Sequence, residues 1–146
     1  MIYRGVYRLG IALAAVFAML AALHVYWALG GRWGSGFAVP TIGGTRQIDP
    51  GPLATLLVAI ALLAAMLTIL GQTGLLGEAI PNWIFYWGTL GISVVFLLRS
   101  VGDFKLFGFF KQIQGTAFAR WDTWLYSPLC LLISITAFLV ARRSRG

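Results

Sequence analysis

Three kinds of residue are scarce in this sequence, and each scarcity excludes a class of function. One cysteine in 146 residues excludes an internal disulfide and any paired-cysteine redox centre. One histidine excludes a haem held by two histidines of the same chain. Only 10% of the residues are charged, while 60% are hydrophobic. Soluble domains carry about 25% charged residues, so this chain is neither an ordinary soluble domain nor a disordered one.

Four long hydrophobic runs without charge indicate the architecture. A hydrocarbon core about 30 Å thick needs roughly 20 helical residues to cross it, and nothing here alternates as a barrel strand does. We therefore predict an all-α, polytopic membrane protein, a four-transmembrane-helix bundle forming one membrane domain over residues 1–146. The predicted spans are 8–29, 52–71, 81–101 and 121–141.

Four spans place both termini on one side of the membrane. That side carries five basic residues, beside a short connection near 72–80 whose only charge is Glu78, and the other side carries six. The positive-inside rule gives no clean answer from such numbers. The compact tail Arg142-Arg143-Ser144-Arg145, with no acid beside it, favours cytoplasmic termini in a cell membrane. Insertion in both orientations is the alternative.

Two long loops lie on the face opposite the termini. Residues 30–51, about 22 residues, are rich in glycine and favour tight turns that form an ordered cover on the bundle. Residues 102–120, about 19 residues, are rich in phenylalanine with interspersed lysines. They favour a short interfacial helix or a re-entrant turn. Such a segment either anchors the loop in the membrane or admits a lipid-like molecule.

His24 is the only titratable side chain well inside a predicted span, roughly 8 Å from its outer end at 1.5 Å per residue. An ionisable residue within a membrane suggests a functional role, although a neutral imidazole can simply bond to a neighbouring helix. Arg99 and Asp103 are spaced to pair on one face of the third span. If the outer helix ends converge, their polar and aromatic side chains would line one ligand-binding pocket. Its candidate members are His24, Trp27, Arg32, Arg99, Asp103, Arg120, Trp121 and Asp122. The structural alternative is an ion-pair network that ties loops to helices.

The sequence also contains local signals for helix ends and helix packing. Asp122 or Thr123 is a candidate N-cap for the fourth span, and Pro128 should kink that span and free a carbonyl. Small residues recur every fourth position along the first span, at Gly10, Ala14, Ala18 and Ala22. We expect these small residues to form a helix-packing face.

Motifs for established cofactors do not occur in the sequence. It contains no glycine-rich phosphate loop, no HExxH, no GxSxG and no cluster of metal-ligand residues. We therefore expect no metal and no cofactor. The basic residues are divided between two membrane faces, which fits contact with anionic lipids and not with nucleic acid.

Two segments resemble motifs of a known family. The run from His24 through Tyr26 and Trp27 to Gly31 resembles the opening motif of an uncharacterised bacterial family of small four-helix integral membrane proteins, a domain of unknown function. The run Thr116–Cys130, which includes Arg120-Trp121-Asp122, resembles its closing motif. The resemblance implies the four-span fold and implies no activity.

Several functions remain in competition. The first is a binding or sensing protein that holds a lipid-like or amphipathic ligand, or an accessory subunit that packs against another membrane protein. The second is a membrane enzyme acting on a lipid or isoprenoid, with His24 as general acid or base and Asp103 or Asp122 orienting it. The third is a small-molecule transporter, which would require a homo-oligomer because the spans offer few polar side chains.

Overall fold

The computed structural model describes residues 2–76 and 80–143. Its helices are α1 (Ile2–Ala28), α2 (Ser35–Ala38), α3 (Pro52–Gln72), α4 (Asn82–Val101), α5 (Ala117–Trp121) and α6 (Ser127–Arg143). Its strands are β1 (Thr41–Ile42) and β2 (Thr45–Arg46). A π-helical turn over Asp122–Tyr126 joins α5 to α6. Glu78 and the end of the basic tail, from residue 144, lie outside the described residues.

Within the described part of the chain, four helical segments are long and apolar enough to cross a membrane. They are Arg4–Ala28, Pro52–Gln72, Asn82–Val101 and Ala117–Arg142. The predicted all-α four-helix bundle is therefore confirmed. The fourth segment begins four residues before the predicted start. Its N-cap is Thr116, whose side-chain oxygen accepts a hydrogen bond from the Ala119 backbone N–H at 3.0 Å, so the expectation of a cap at Asp122 or Thr123 was wrong.

The four long helices form a closed ring. Helix α1 packs along α3 and α4 packs along α6, while contacts of α3 with α4 and of α1 with α6 complete the ring. At the centre, the rings of Phe17 and Phe96 approach to 5.5 Å across the bundle. Around them lie buried apolar side chains from three of the helices: Leu13, Ala14, Ala21, Leu62, Ile69, Ile133 and Ala137.

The outer surface of the ring is apolar as well. Met19 on α1 is 70% exposed and Leu53 on α3 is 71% exposed. Apolar surface costs about 25 cal/mol per Å² in water, whereas lipid tails remove that cost. The exposed faces of the long helices are therefore suited to hydrocarbon, as a membrane-embedded protein requires.

The small residues of α1 pack only in part as expected. Gly10 and Ala14 are buried, and a side chain at Gly10 would collide with Thr73 at the end of α3. Ala22 is exposed, and Ala21 is buried in its place. A four-residue step advances about 40° beyond a full helical turn, so a stripe with that spacing rotates out of the interface after three steps.

Serine hydroxyls connect α4 to α6. The Ser93 hydroxyl donates to the backbone carbonyl of Ser134 at 2.9 Å, and the Ser134 hydroxyl donates to the carbonyl of Ser93 at 2.7 Å. Nearer the end of the bundle that carries the two long loops, which we call the outer end, the Ser100 hydroxyl donates to the carbonyl of Ser127 at 3.2 Å. These interhelical bonds hold the two helices in register.

The π-helical turn ends at Tyr126, two residues before Pro128. Its widened geometry is seen where the Ser127 N–H donates to the carbonyl of Asp122, five residues back. Proline has no N–H and disturbs the preceding helical turn. The irregularity that the sequence predicts at Pro128 thus takes the form of a π turn, a common form of local helix distortion.

Candidate functional site

The glycine-rich loop folds into an ordered cover at the outer end of the bundle. Gly43 and Gly44 both have positive φ, at 56° and 81°, and form the two-residue turn between β1 and β2. The Trp27 indole N–H donates to the carbonyl of Trp33 at 2.8 Å, which attaches the loop to α1. The Tyr126 hydroxyl donates to the carbonyl of Phe37 at 3.3 Å, which attaches it to the fourth span.

A cavity of about 600 Å³ lies under this cover, between the end of α1 and the beginning of α3. We call it the loop cavity. Its polar lining is His24, Arg32, Ser35, Arg46, Asp49 and Thr55. Its apolar lining includes Trp27, Val39 and Val58. The cavity therefore offers a charged region and an apolar region to the same occupant.

The His24 ring is held in a defined orientation. Its Nδ1 lies 2.7 Å from the carbonyl oxygen of Leu20, and its ring contacts Trp27 edge-on at 5.2 Å between centroids. A carbonyl oxygen only accepts hydrogen bonds, so Nδ1 carries the hydrogen and Nε2 of the neutral ring carries a lone pair. Among the described residues, Nε2 has no hydrogen-bond partner, and the side chain lines the loop cavity.

The charges around the loop cavity are unbalanced. Arg46 pairs with Asp49 at 3.3 Å, and both side chains are at least half exposed. The guanidinium of Arg32 makes no ion pair or side-chain hydrogen bond within the described residues. The cavity lining therefore has an excess positive charge and five N–H donors at Arg32 that remain available.

A second polar cluster lies at the outer ends of α4 and the fourth span. The Asp122 carboxylate is fully buried and accepts from the Arg99 guanidinium at 2.9 Å, the Lys111 ammonium at 3.1 Å and the Gly108 backbone N–H at 2.8 Å. We call Arg99, Lys111 and Asp122 the ion cluster. The Arg99 guanidinium also lies over the Phe107 ring, 4.6 Å from its centroid.

Lys111 is the most unexpected member of the ion cluster. Its side chain is only 3% exposed, yet the ammonium bonds to Asp122, to the carbonyl of Gly108 at 3.1 Å and to the Thr123 hydroxyl at 2.6 Å. These three partners match its three donors. In the sequence, Lys111 is one basic residue in a phenylalanine-rich loop, and nothing there distinguishes it from Lys105.

The segment 102–116 wraps around the ion cluster as turns and bends, without a regular helix. The Asp103 carboxylate accepts from the backbone N–H groups of Lys105, Leu106 and Phe107 at 2.7–3.1 Å. Burial acts to raise the pKa of Asp103, but these three backbone hydrogen bonds outweigh it and lower the pKa below its ordinary value. The predicted short helix does not occur in 102–116, while residues 117–120 of the predicted segment belong to α5, which leads into the fourth span.

The expected pair of Arg99 with Asp103 was wrong. Gly102 ends α4 with φ 92° and ψ −173°. That conformation turns the chain away from the helix axis before Asp103, so the two residues no longer share a helical face. Arg99 pairs instead with Asp122, which the π turn presents from the neighbouring span.

The predicted site residues occupy separate places at the outer end of the bundle. His24, Trp27 and Arg32 line the loop cavity. Arg99 and Asp122 belong to the ion cluster, and Asp103 holds the turn that follows α4. Arg120 and Trp121 line an outer recess with Trp124. The structure thus does not bring all eight side chains into one pocket.

Sequence reasoning missed several lining residues of the loop cavity. Arg46, Asp49 and Val58 come from the loop and from the second turn of α3, and their position depends on how the loop folds back. The glycine-rich composition predicted a cover on the bundle, and the adjacent glycines Gly43 and Gly44 form the hairpin turn within it. Among the described residues, no group of three or more His, Cys, Asp or Glu side chains is placed to hold a metal ion.

Comparison with known proteins gives one informative match. No curated protein and no solved structure shows significant similarity to the chain. A family model matches residues 17–137, which include both motifs noted in the sequence. The chain therefore belongs to the family described as Protein of unknown function (DUF3995).

Proposed function

We propose that this membrane-embedded protein binds an amphipathic, lipid-like ligand in the loop cavity. One observation supports this most strongly. A cavity of about 600 Å³ combines an arginine that has no side-chain partner among the described residues, an oriented histidine and an apolar wall. Cavities of a few hundred Å³ or more that join apolar walls to a few placed polar groups are typical of small-molecule sites.

The polar part of the loop cavity favours an anionic or hydrogen-bond-accepting head. Arg32 supplies free N–H donors, and Arg46 adds a second cation whose partner Asp49 is mostly exposed. His24 Nε2 can accept a hydrogen bond from a neutral head, or donate one when the ring is protonated. A carboxylate or a phosphate ester would complement this set of groups.

The apolar part of the loop cavity extends toward the membrane interior. Val58 lies six residues after the start of α3, about 9 Å along the helix at 1.5 Å per residue. Its side chain is partly exposed on the side of α3 that faces away from the bundle. An alkyl or isoprenoid chain whose head lies near Arg32 would pass Trp27 and Val58 and continue into lipid.

Filling the loop cavity tests this proposal. In Val58→Trp, an indole occupies the wall of the cavity, whereas in Leu57→Trp the same side chain is placed on the neighbouring exposed position, which does not line the cavity. Both proteins would be purified in mild detergent and their bound small molecules analysed by native mass spectrometry. We expect a retained amphiphile in the parent protein and in Leu57→Trp, and its loss in Val58→Trp.

Equal retention in the two tryptophan variants would exclude the loop cavity as the binding site. Recovery of a protein partner with no small molecule in any variant would instead favour the accessory-subunit hypothesis.

A second candidate function is catalysis by His24 on the bound molecule. The Leu20 carbonyl fixes the ring, and Nε2 is left with a lone pair on the cavity side, which is the arrangement of a general base. Asp103 and Asp122, the expected orienting residues, are engaged elsewhere. His24→Gln would abolish chemical change of the ligand, followed by mass, while its side-chain amide can still hydrogen-bond the head and keep the ligand bound. Unchanged turnover in this variant would exclude the role.

We also propose that the termini are cytoplasmic, with both loops on the outer side. The shared face is supported by contacts of Phe37 in the glycine-rich loop with Tyr126 and Trp121 of the fourth span. The cytoplasmic side is supported by the basic residues of the C-terminal tail. Cysteines placed at Gly43 or Phe110 in a Cys130→Ala background should both react with an impermeant maleimide in intact cells. Labelling of one position without the other would contradict the shared face.

A further inference from the structure

A recess on the fourth span is separate from the loop cavity and shares no lining residue with it. It has a volume of about 280 Å³. Its lining includes Phe109, Lys111, Gln114, Arg120, Thr123 and Trp124, and contains no acidic side chain. We call it the Arg120 recess.

The Arg120 recess adjoins a net positive charge. Arg99 and Lys111 share one carboxylate, that of Asp122, so the ion cluster carries one excess positive charge, and Arg120 adds another. The other described acids are engaged elsewhere, because Asp49 pairs with Arg46 and Asp103 binds backbone N–H groups. Among the described residues, therefore, no counter-charge remains for this excess. Charge near the hydrocarbon boundary is costly unless it is compensated.

Arg120 is the residue that can contact an anion directly. The donors of Lys111 are all used by protein acceptors, so Lys111 contributes its charge and no free N–H. The guanidinium of Arg120 has no ion pair or hydrogen bond in the described part of the chain. Its planar N–H groups match the oxygens of a phosphate.

An apolar depression of about 230 Å³ continues from the Arg120 recess along the same span. It is lined by Arg120, Trp121 and Trp124, and Trp124 is 84% exposed. These residues lie in the first two turns of the segment Ala117–Arg142, at the beginning of a helix long and apolar enough to cross a membrane. Tryptophan is favoured at that boundary because its ring fits both lipid tails and headgroups.

We propose that the Arg120 recess binds the phosphate of an anionic phospholipid headgroup, with an acyl chain lying against Trp121 and Trp124. The adjoining apolar depression is the reason for assigning a lipid phosphate and not free phosphate. The positive excess is the reason for assigning an anionic headgroup and not a zwitterionic one.

Native mass spectrometry with defined lipids tests this proposal. The protein would be titrated with phosphatidylglycerol, and in parallel with phosphatidylcholine. We expect preferential binding of phosphatidylglycerol, and about a tenfold weaker affinity in Arg120→Gln, as for loss of one charge-assisted contact. Lys105→Gln is the matched control, since it removes an exposed cation of the neighbouring segment 102–116 that does not line the recess. Equal weakening in both variants would show attraction to the overall charge at this end of the bundle and would overturn the site.

The source of the phosphate is tested separately. Inorganic phosphate at millimolar concentration should not displace phosphatidylglycerol, and Trp124→Ala should weaken phosphatidylglycerol binding several-fold. Displacement by inorganic phosphate, together with no effect of Trp124→Ala, would assign a free-anion site and overturn the lipid proposal.

Failure of the Arg120 recess proposal can be distinguished from failure of the loop cavity proposal. Arg120→Gln should leave the ligand retained by the loop cavity unchanged, and Val58→Trp should leave phosphatidylglycerol binding unchanged. If Val58→Trp instead removed phosphatidylglycerol and Arg120→Gln did not, the lipid would belong to the loop cavity and the Arg120 recess would be excluded.

Discussion

The loop cavity and the ion cluster use similar residues in opposite ways. In the ion cluster, the carboxylate of Asp122 and the ammonium of Lys111 are almost completely buried, and each has three hydrogen-bond partners. In the loop cavity, Arg32 and Nε2 of His24 have no partners within the described residues, and the nearby pair of Arg46 and Asp49 is exposed. Asp122 and Lys111, whose hydrogen bonds are satisfied, hold the fold together, whereas the unsatisfied groups of the loop cavity are available to a ligand.

This difference follows from how each loop is attached. Segment 102–116 folds tightly around a buried carboxylate, and Gly102 and Gly108 meet backbone to backbone. The loop over residues 30–51 is attached near Trp33 and Phe37 and leaves space beneath it. Segment 102–116 therefore has a structural role, and the loop over residues 30–51 is the one for which we propose a binding role. Variants can separate these roles.

The largest expected effect is that of Asp122→Ala. Removing the carboxylate leaves the buried Lys111 without its counter-charge, and we expect a loss of about 3–5 kcal/mol in the free energy of unfolding. The measurement is denaturant-induced unfolding in mixed micelles. The matched control is Asp49→Ala, which removes the carboxylate of an exposed pair and should change stability by about 0–1 kcal/mol.

A double variant separates the effect of the unpaired charge from the effect of lost packing. In Asp122→Ala combined with Lys111→Met, no uncompensated ammonium remains at that position, so part of the lost stability should return. If the double variant is as unstable as the sum of both single variants, the loss comes from packing and not from the unpaired charge.

The next largest expected effect is the loss of stability when a glycine of either loop is replaced. Gly102 has φ 92°, and a side chain there would collide with the carbonyl oxygen of Phe107. Gly43 also has positive φ, at 56°, but open space surrounds it. We expect Gly102→Ala to cost about 2–4 kcal/mol and Gly43→Ala about 1 kcal/mol, since only the first adds a backbone collision to the conformational strain. Thermal unfolding with circular dichroism measures both.

Similar losses in the two glycine variants would contradict the tight crossing after α4. A larger loss for Gly43→Ala would assign the rigid role to the other loop.

Much of the fold followed from the sequence because bilayer thickness and backbone hydrogen bonding restrict the choices. Span boundaries at Pro52 and Val101 were predicted within a residue. The arrangement of the site was not, because it depends on loop paths. Asp103 was the acid nearest to Arg99 along the chain, but the turn at Gly102 directs it away, and Arg99 pairs with Asp122 of the neighbouring span. Similarly, the sequence placed His24 and Asp122 together at the outer end but could not show that different loops enclose them.

A smaller effect is expected for Arg32→Gln in the loop cavity. Arg32 is exposed and unpaired within the described residues, so stability should change by no more than about 0.5 kcal/mol. The dissociation constant of the bound amphiphile should rise about tenfold, measured by native mass spectrometry. A large loss of stability would place Arg32 among the structural residues, as in the ion cluster.

The smallest effect is the titration of Asp103. Its hydrogen bonds from Lys105, Leu106 and Phe107 hold the pKa of the carboxyl below its ordinary value of 3.8. A group with a lowered folded-state pKa contributes stability above its unfolded-state pKa, and that contribution is lost as the pH falls through the folded-state pKa. Because the side chain is exposed, only the local turn should respond. The amide shifts of these three residues, followed by NMR in micelles, should titrate with a midpoint below 3.8, and Asp103→Asn should abolish the transition. A midpoint above 3.8 would mean that the turn does not stabilise the charged carboxylate, and segment 102–116 would then resemble the looser glycine-rich loop.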